Sequence, residues 1–153
     1  MSATPVSLES GADDIRIRQF RPARRSGAAA AATGHIAIVL HDLRGGGAER
    51  AVLRLARGMA AAGRQIELIL VRGEGAYLGD IPPTVGLKVL DKPRVSQAIG
   101  ALAGHLRCTR PRAVLSALTH MNLATVAAAR LSCVPMRLVL SERNQISAKA
   151  REA

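Results

Sequence analysis

The chain has 153 residues, of which 48% are hydrophobic, and a formal net charge of +11. Phe20 and Tyr77 are its only aromatic residues. Proteins that bind single-stranded nucleic acid usually stack the bases on aromatic rings. The positive charge therefore favours phosphates, anionic lipid head groups or charged sugars as partners over nucleic acid. No run approaches the roughly 18 apolar residues of a membrane span, and Cys108 and Cys133 lie in no metal-binding spacing, so we expect a cytoplasmic protein with reduced, partly buried thiols and no metal.

Residues 1–34 mix Ser, Pro and Arg with an alanine tract and lack sustained periodicity, which predicts a disordered leader. From His35 onward apolar runs alternate with helical patterns, and Gly63 is placed to end the first helix. The predicted strands are residues 36–40, 65–71, 87–90, 113–116 and 136–141, and the predicted helices are residues 48–62, 95–107 and 122–131. This alternation, with strands apolar on both faces, predicts a Rossmann-like α/β fold in which helices flank a parallel sheet.

Ligands of such sheets bind outside the carboxyl ends of the strands, which selects residues 43–50, 72–75, 118–122 and 142–144 as the candidate site. The first segment contains Gly45, Gly46 and Gly47 directly before a predicted helix. Glycine lets a ligand approach the backbone closely, and the N-terminus of a helix carries about half a positive charge. The loop therefore predicts an anion site, such as one for a phosphate.

The same glycines leave other interpretations open. Gly45 and Gly47 match the first two positions of the dinucleotide fingerprint G-x-G-x-x-G, but Arg50 stands at the third. Arg72 follows the second strand, where NAD-binding proteins place an acidic residue and NADP-binding proteins tolerate an arginine. No P-loop sequence is present. An NADP-binding reductase domain and a glycine-rich turn without a ligand are the alternatives.

The helix after the glycines is predicted to have an apolar face and a cationic face. These faces comprise Val52, Leu55, Ala56 and Met59 on one side and Arg50, Arg54 and Arg57 on the other. A solvated outer surface explains the arginines, as does attraction to an anionic membrane. A third function class, a non-enzymatic basic module at a membrane surface or an adaptor, follows from the second explanation.

Two later segments place polar side chains at predicted carboxyl ends. His120 follows the fourth strand, where an imidazole can donate to a phosphate or a sugar hydroxyl near neutral pH. Alternatively His120 is structural, with Thr119 and Asn122 capping the next helix. Residues 141–144, Ser-Glu-Arg-Asn, close the fifth strand with groups that suit a polyol, or that cap a helix and form a surface ion pair.

Residues 45–50, Gly-Gly-Gly-Ala-Glu-Arg, closely resemble the glycine loop of the retaining GT-B glycosyltransferases known as group 1 or family four. Weaker likeness follows in the same order at residues 110–115, 119–122 and 141–144. The resemblance covers residues 35–147 and implies the Rossmann-like N-terminal, acceptor-side domain of a GT-B architecture. Residues 148–153 would then be a truncated tail or the start of the next helix.

The resemblance implies transfer of a sugar from a nucleotide-sugar donor to a glycan or lipid-linked acceptor, without a metal or other cofactor. The glycine loop would approach the donor diphosphate, and His120 would be the catalytic-site histidine beside the transferred sugar. The acceptor side would be lined by Glu49, Arg50, Asn122, Glu142, Arg143 and Asn144. Work at the inner membrane surface, with peripheral contact to anionic lipid, would fit a lipid-linked acceptor.

Two features depart from that family. Arg143 stands where many relatives have a histidine between the glutamate and the asparagine, which leaves the role of this position open. The family also carries its nucleotide-sugar site and an E-x7-E element in a second domain, for which this sequence offers no candidate. The resemblance therefore implies one half of an enzyme, inactive alone, whose C-terminal domain is missing or is a separate chain.

Overall fold

The computed structural model describes residues 34–142, along which strands and helices alternate. The elements are β1 (Ile36–Leu40), α1 (Gly47–Ala61), β2 (Ile66–Leu70), β3 (Gly86–Val89), α2 (Val95–Thr109), β4 (Ala113–Ala117), α3 (Thr119–Ser132) and β5 (Arg137–Ser141), with a 3-10 turn at Leu78–Asp80. The predicted elements are confirmed to within three residues at each end. Gly63, at φ +77°, follows the last turn of α1 as predicted. The predicted leader, apart from Gly34, and residues 143–153 lie outside the described residues.

The five strands form one parallel sheet in the order β3-β2-β1-β4-β5. Ile38, at the centre of β1, lies opposite Leu68 of β2 and Leu115 of β4. The chain moves outward from β1 to β3 and then returns to β4 on the other side of β1, so the topological switch point lies between β1 and β4. The predicted α/β class, a Rossmann-like parallel sheet flanked by helices, is confirmed, and the crevice for a ligand is expected where β1 and β4 end.

The sheet is covered on both faces because alternate residues of its central strands point to opposite sides. Ile38 and Leu40 of β1 pack with α1, whereas Ala37 and Val39 pack with α2 and α3. All four side chains are fully buried. Central strands that are apolar on both faces are typical of a parallel sheet and fix it between two helical layers.

The predicted buried face of α1 is wrong at one position. Leu55 is 44% exposed, whereas Leu53 is buried together with Val52 and Ala56. On a helix of 3.6 residues per turn Leu53 lies about 60° and Leu55 about 100° from Ala56, so a stripe centred on Ala56 includes the former and excludes the latter. The sequence pattern supported either choice, since both are leucines.

The structure corrects the predicted partial burial of the cysteines and shows that the last strand is exposed. Cys108 and Cys133 are free thiols, as expected, but both are exposed because they lie at the C-terminal ends of α2 and α3. β5 is the edge strand of the described sheet and pairs with β4 alone. Its residues Leu138, Val139 and Leu140 are 37–53% exposed, so this strand is solvated on both faces.

A buried charge cluster lies at the opposite edge of the sheet from the crevice. Glu67 of β2 is fully buried, with Oε1 2.8 Å from His105 Nε2 and Oε2 3.5 Å from His35 Nε2. Burial acts to raise the pKa of Glu67, but the hydrogen bonds and charges of His105 and His35 outweigh it, and the pKa lies below its ordinary value. The carboxylate form of Glu67 is therefore part of the folded core.

Candidate functional site

The glycine loop lies between β1 and α1 and presents bare backbone to solvent. Gly45 adopts φ +123°, which side-chain-bearing residues rarely reach, and Gly46 is the N-cap of α1 without any side-chain cap. Gly45, Gly46 and Gly47 are all exposed. A Cβ atom added at Gly45 or Gly47 would meet nothing within 4 Å. The backbone of these three residues at the start of α1 is therefore accessible to solvent.

Glu49, a predicted acceptor ligand, lies instead against this loop. A Cβ atom at Gly46 would overlap the carboxylate of Glu49, so the two residues are in close contact. Glu49 is the third residue of the helix, from which a carboxylate can fold back toward the N-cap. In this conformation the negative group at the helix N-terminus is the chain's own carboxylate, and an incoming anion would have to displace it.

The loop between β2 and β3 supports the glycine loop from one side. The Leu43 N–H donates to the Glu74 carbonyl at 2.9 Å, and the Tyr77 N–H donates to the Leu43 carbonyl at 3.3 Å. Gly75 makes this approach possible, because a Cβ atom there would overlap the backbone of Leu43 and Arg44. The sequence analysis included Gly75 in the candidate segment 72–75 but gave it no role, although a glycine near the end of a strand is a signal for close backbone approach.

Arg50, also predicted to bind acceptor, is tied to the same loop. Its guanidinium donates two hydrogen bonds to Tyr77 Oη, at 3.1 and 2.8 Å, and lies 5.4 Å from the centre of the Tyr77 ring. Arg57 donates to the Asp80 carbonyl at 3.2 Å. Two of the three arginines on the cationic face of α1 therefore hold the segment 77–80 by hydrogen bonds. Neither explanation offered for these arginines from the sequence, a solvated surface or a membrane contact, included this role.

Four charged side chains form a network beneath the loop. Arg44 lies 3.3 Å from Asp42 (Nε to Oδ2) and 2.7 Å from Glu74 (Nη2 to Oε2), and Arg72 also pairs with Glu74. Hydrogen bonds from Arg44 and then Arg72 hold the pKa of Glu74 below its ordinary value. Arg72, on which the NADP interpretation depends, is thus already engaged by a carboxylate of its own loop.

His120 lies at the switch point beside a second histidine. It is the second residue of α3 and is exposed, and its ring centre lies 5.8 Å from that of His41 with the ring planes at 74°. His41 is the first residue after β1, and its Nδ1 is 2.7 Å from Asp42 Oδ2. Sequence reasoning missed His41, although its position directly after a strand at a carboxyl end could have identified it.

Thr119 and Asn122 do not cap α3, so the capping role predicted for them is wrong. The N-cap is Leu118, without a side-chain cap, while Thr119 Oγ1 donates to Glu142 Oε2 at 2.7 Å. Asn122 Nδ2 donates to the Ser141 carbonyl at 3.2 Å, and within the part of the chain described its buried Oδ1 has no partner. These bonds join the start of α3 to the end of β5 and bring Glu142 to Thr119, the neighbour of His120.

The remaining predicted site residues, Arg143 and Asn144, lie outside the described residues. Within residues 34–142 no group of three or more His, Cys, Asp or Glu side chains could hold a metal ion. At this edge of the sheet lie the glycine loop with the Glu49 carboxylate against it, the two imidazoles of His41 and His120, and the exposed carboxylate of Glu142. Such groups can bind an anion, hydrogen-bond hydroxyl groups and exchange protons near neutral pH.

Across the same residues, no helix combines the length and apolar character needed to cross a membrane. No family model matches the chain, and a search of curated proteins finds no match.

Proposed function

We propose that the chain is the N-terminal, acceptor-side domain of a glycosyltransferase that moves a sugar from a nucleotide-sugar donor to a glycan or lipid-linked acceptor. The observation that carries this proposal is that three groups lie at the carboxyl ends of the neighbouring strands β1, β4 and β5. They are the open glycine loop at the start of α1, the His41–His120 pair and the Glu142 carboxylate beside Thr119.

The glycine loop supports the proposal because a diphosphate needs donors and close approach. The first backbone N–H groups of α1 have no partner within the helix, and the helix dipole favours negative charge near them. Gly47 leaves space above the helix start that even a methyl group would reduce. In this role the diphosphate displaces the Glu49 carboxylate from Gly46, and α1 attracts the bound anion.

The histidine pair and Glu142 support the sugar-transfer part of the proposal. His120 is exposed at the crevice and would face the transferred sugar, while Glu142 and Asn122 would lie on the acceptor side. A neutral imidazole both donates and accepts, which suits hydroxyl groups. Arg50 keeps Tyr77 and its loop in place, which makes it a support of the acceptor side rather than a direct ligand.

The proposal requires a second domain for the nucleotide, carried by the same polypeptide or by a partner chain, and no metal. It also places the protein in the cytoplasm, with transient contact to an anionic inner membrane surface when the acceptor is lipid-linked. Arg54 and its neighbours on the outer side of α1 would favour that contact.

A reconstitution experiment tests the proposal. The chain is mixed with donor domains of GT-B enzymes and a panel of nucleotide sugars, and released nucleotide and glycosylated acceptor are measured. We expect transfer with one pairing, its loss in His120→Ala and its retention in Arg64→Ala, which changes an exposed residue between α1 and β2, away from the carboxyl end of the sheet. Failure of every pairing, or full activity of His120→Ala, would contradict the proposal.

Titration with NADPH separates the reductase alternative from this proposal. A nicotinamide-binding domain would bind NADPH at micromolar concentration, and Arg72→Ala would weaken that binding. The proposed glycosyltransferase domain should show no saturable binding in this range, since Glu74 already holds Arg72.

A further inference from the structure

The ring of His41 is fixed by a carboxylate rather than free to turn. Its Nδ1 lies 2.7 Å from Asp42 Oδ2, and a carboxylate can only accept, so the hydrogen is on Nδ1 and the neutral ring keeps a lone pair on Nε2. Asp42 is itself held, because the Arg44 N–H donates to Oδ1 at 3.2 Å and Arg44 Nε lies 3.3 Å from Oδ2. The hydrogen bond to Asp42 therefore fixes both the tautomer and the ring plane of His41.

The ring of His120 packs against the ring of His41. Among the residues that the structure describes, the His120 ring forms no hydrogen bond. It packs edge-on against the His41 ring, with 5.8 Å between the ring centres. A ring that is exposed at the start of a helix has several rotamers available. Contact with a fixed neighbouring ring selects among them.

The backbone that carries His120 is also held in place. Leu118, the residue before α3, adopts φ +82° and ψ +139°, a strained conformation that side-chain-bearing residues rarely adopt. The turn persists because the Leu118 N–H donates to the Ser141 carbonyl at 3.2 Å and its carbonyl accepts from the Asn122 N–H at 2.9 Å. The turn therefore places the Cα atom of His120, and the ring plane remains to be set.

We propose that His41 is a positioning residue for His120. Asp42 fixes the tautomer and plane of His41, and His41 holds the His120 ring toward the position of the transferred sugar. This inference rests on the proposed role of His120. It assigns a role to His41, which belongs neither to the glycine loop nor to the proposed acceptor side. Positioning matters because misplacement of a reacting group by about 1 Å can lower a rate by about 10²-fold.

Nuclear magnetic resonance on the full 153-residue chain tests the inference without any need for activity. Nitrogen shifts report the tautomer of His41, and the ring-proton resonances of His120 report its packing on His41. We expect the Nδ1–H tautomer for His41, and a change of the His120 resonances in His41→Ala but not in the surface variant Arg54→Ala. The amide spectrum shows whether each variant keeps its fold.

Three variants keep the outcome decisive. His41→Phe retains an aromatic ring and should preserve part of the His120 shift, whereas Asp42→Asn frees the tautomer and should change the His120 resonances while the His41 ring remains. If His41→Ala fails to fold, the other two variants decide. Unchanged His120 resonances in folded variants, or a hydrogen on Nε2 of His41, would overturn the inference.

Kinetics then separate this inference from the proposed function. With a donor domain that supports transfer, His41→Ala should lower kcat by about 10- to 100-fold with little change in KM, and His41→Phe should recover part of the loss. Absence of transfer by the unmodified chain, together with the expected resonance changes, would contradict the proposed function alone. Equal kcat in His41→Ala and the unmodified chain would contradict the positioning role alone.

Discussion

Gly47 ends the loop between β1 and α1, and Gly75 contacts the start of that loop from the β2–β3 loop. The structure predicts opposite results when each glycine is replaced by alanine. At Gly75 the backbone adopts φ +131°, and a Cβ atom would overlap the backbone of Leu43 and Arg44. Gly75→Ala should cost roughly 1–3 kcal/mol of backbone strain. It should also break two hydrogen bonds, from the Leu43 and Tyr77 N–H groups, each worth about 0.5–1.5 kcal/mol. The expected loss is therefore roughly 2–6 kcal/mol.

Gly47→Ala is the matched control, since position 47 is helical and a Cβ atom there meets nothing within 4 Å. Alanine should leave the free energy of unfolding unchanged or raise it by up to about 1 kcal/mol. Urea unfolding followed by circular dichroism measures both variants. With a slope of about 2 kcal/mol per molar urea, the Gly75→Ala midpoint should fall by about 1–3 M. An unchanged midpoint for Gly75→Ala would refute the assigned contact between the two loops.

Three further predictions concern other contacts of the described residues. The pKa of Glu67 is lowered in the fold, so its contribution to stability is complete above the ordinary glutamate pKa of about 4.5 and is lost as the pH falls through the folded pKa. Glu67→Gln should cost about 1.5–3 kcal/mol at neutral pH and flatten the acid side of a plot of unfolding free energy against pH; an acid side as steep as before would show that other groups cause it. Arg50→Lys and Tyr77→Phe should each destabilise the chain, and a double-mutant cycle should give a coupling of about 0.5–1 kcal/mol; strictly additive effects would deny the contact. Thr119→Val should lower the free energy of unfolding by about 0.5–1.5 kcal/mol through the lost hydrogen bond to Glu142. Thr84→Val, at an exposed threonine, is the control in thermal unfolding, and equal melting temperatures of the two variants would argue against the bond.

Most of the fold could be predicted from the sequence because its signals are local. The apolar run of β1 is short and continuous, and that of β2 is interrupted only by Glu67. Glycines or prolines separate both strands from the helical patterns. Gly63 ends α1 at the expected place for the same reason. The position of Leu55 could not be predicted, because the rotation of α1 about its axis depends on the sheet beneath it and not on the helix sequence.

The candidate site was predicted by position but not by contact. The rule that ligands bind at carboxyl ends selected the segments of Gly45–Gly47, His120 and Glu142 correctly as neighbours of one edge of the sheet. It gave no information on partners, so Glu49 and Arg50 were assigned to a ligand although the structure pairs them with Gly46 and Tyr77. Such pairings join residues distant along the chain, and spacing within one segment does not reveal them.

The two ends of the sheet hold their polar groups differently. At the amino end Glu67 is fully buried, and the imidazoles beside its carboxylate come from the residue before β1 and from α2. At the carboxyl end the glycine loop, His120 and Glu142 are exposed, and the strained Leu118 turn holds the start of α3 against β5. A carboxylate paired in the core stabilises the chain but cannot bind a ligand, whereas exposed groups on a fixed backbone bind a ligand at little cost in reorganisation. Substitutions at Glu67 should therefore change unfolding without changing ligand affinity of the folded chain, and substitutions at His120 should do the reverse.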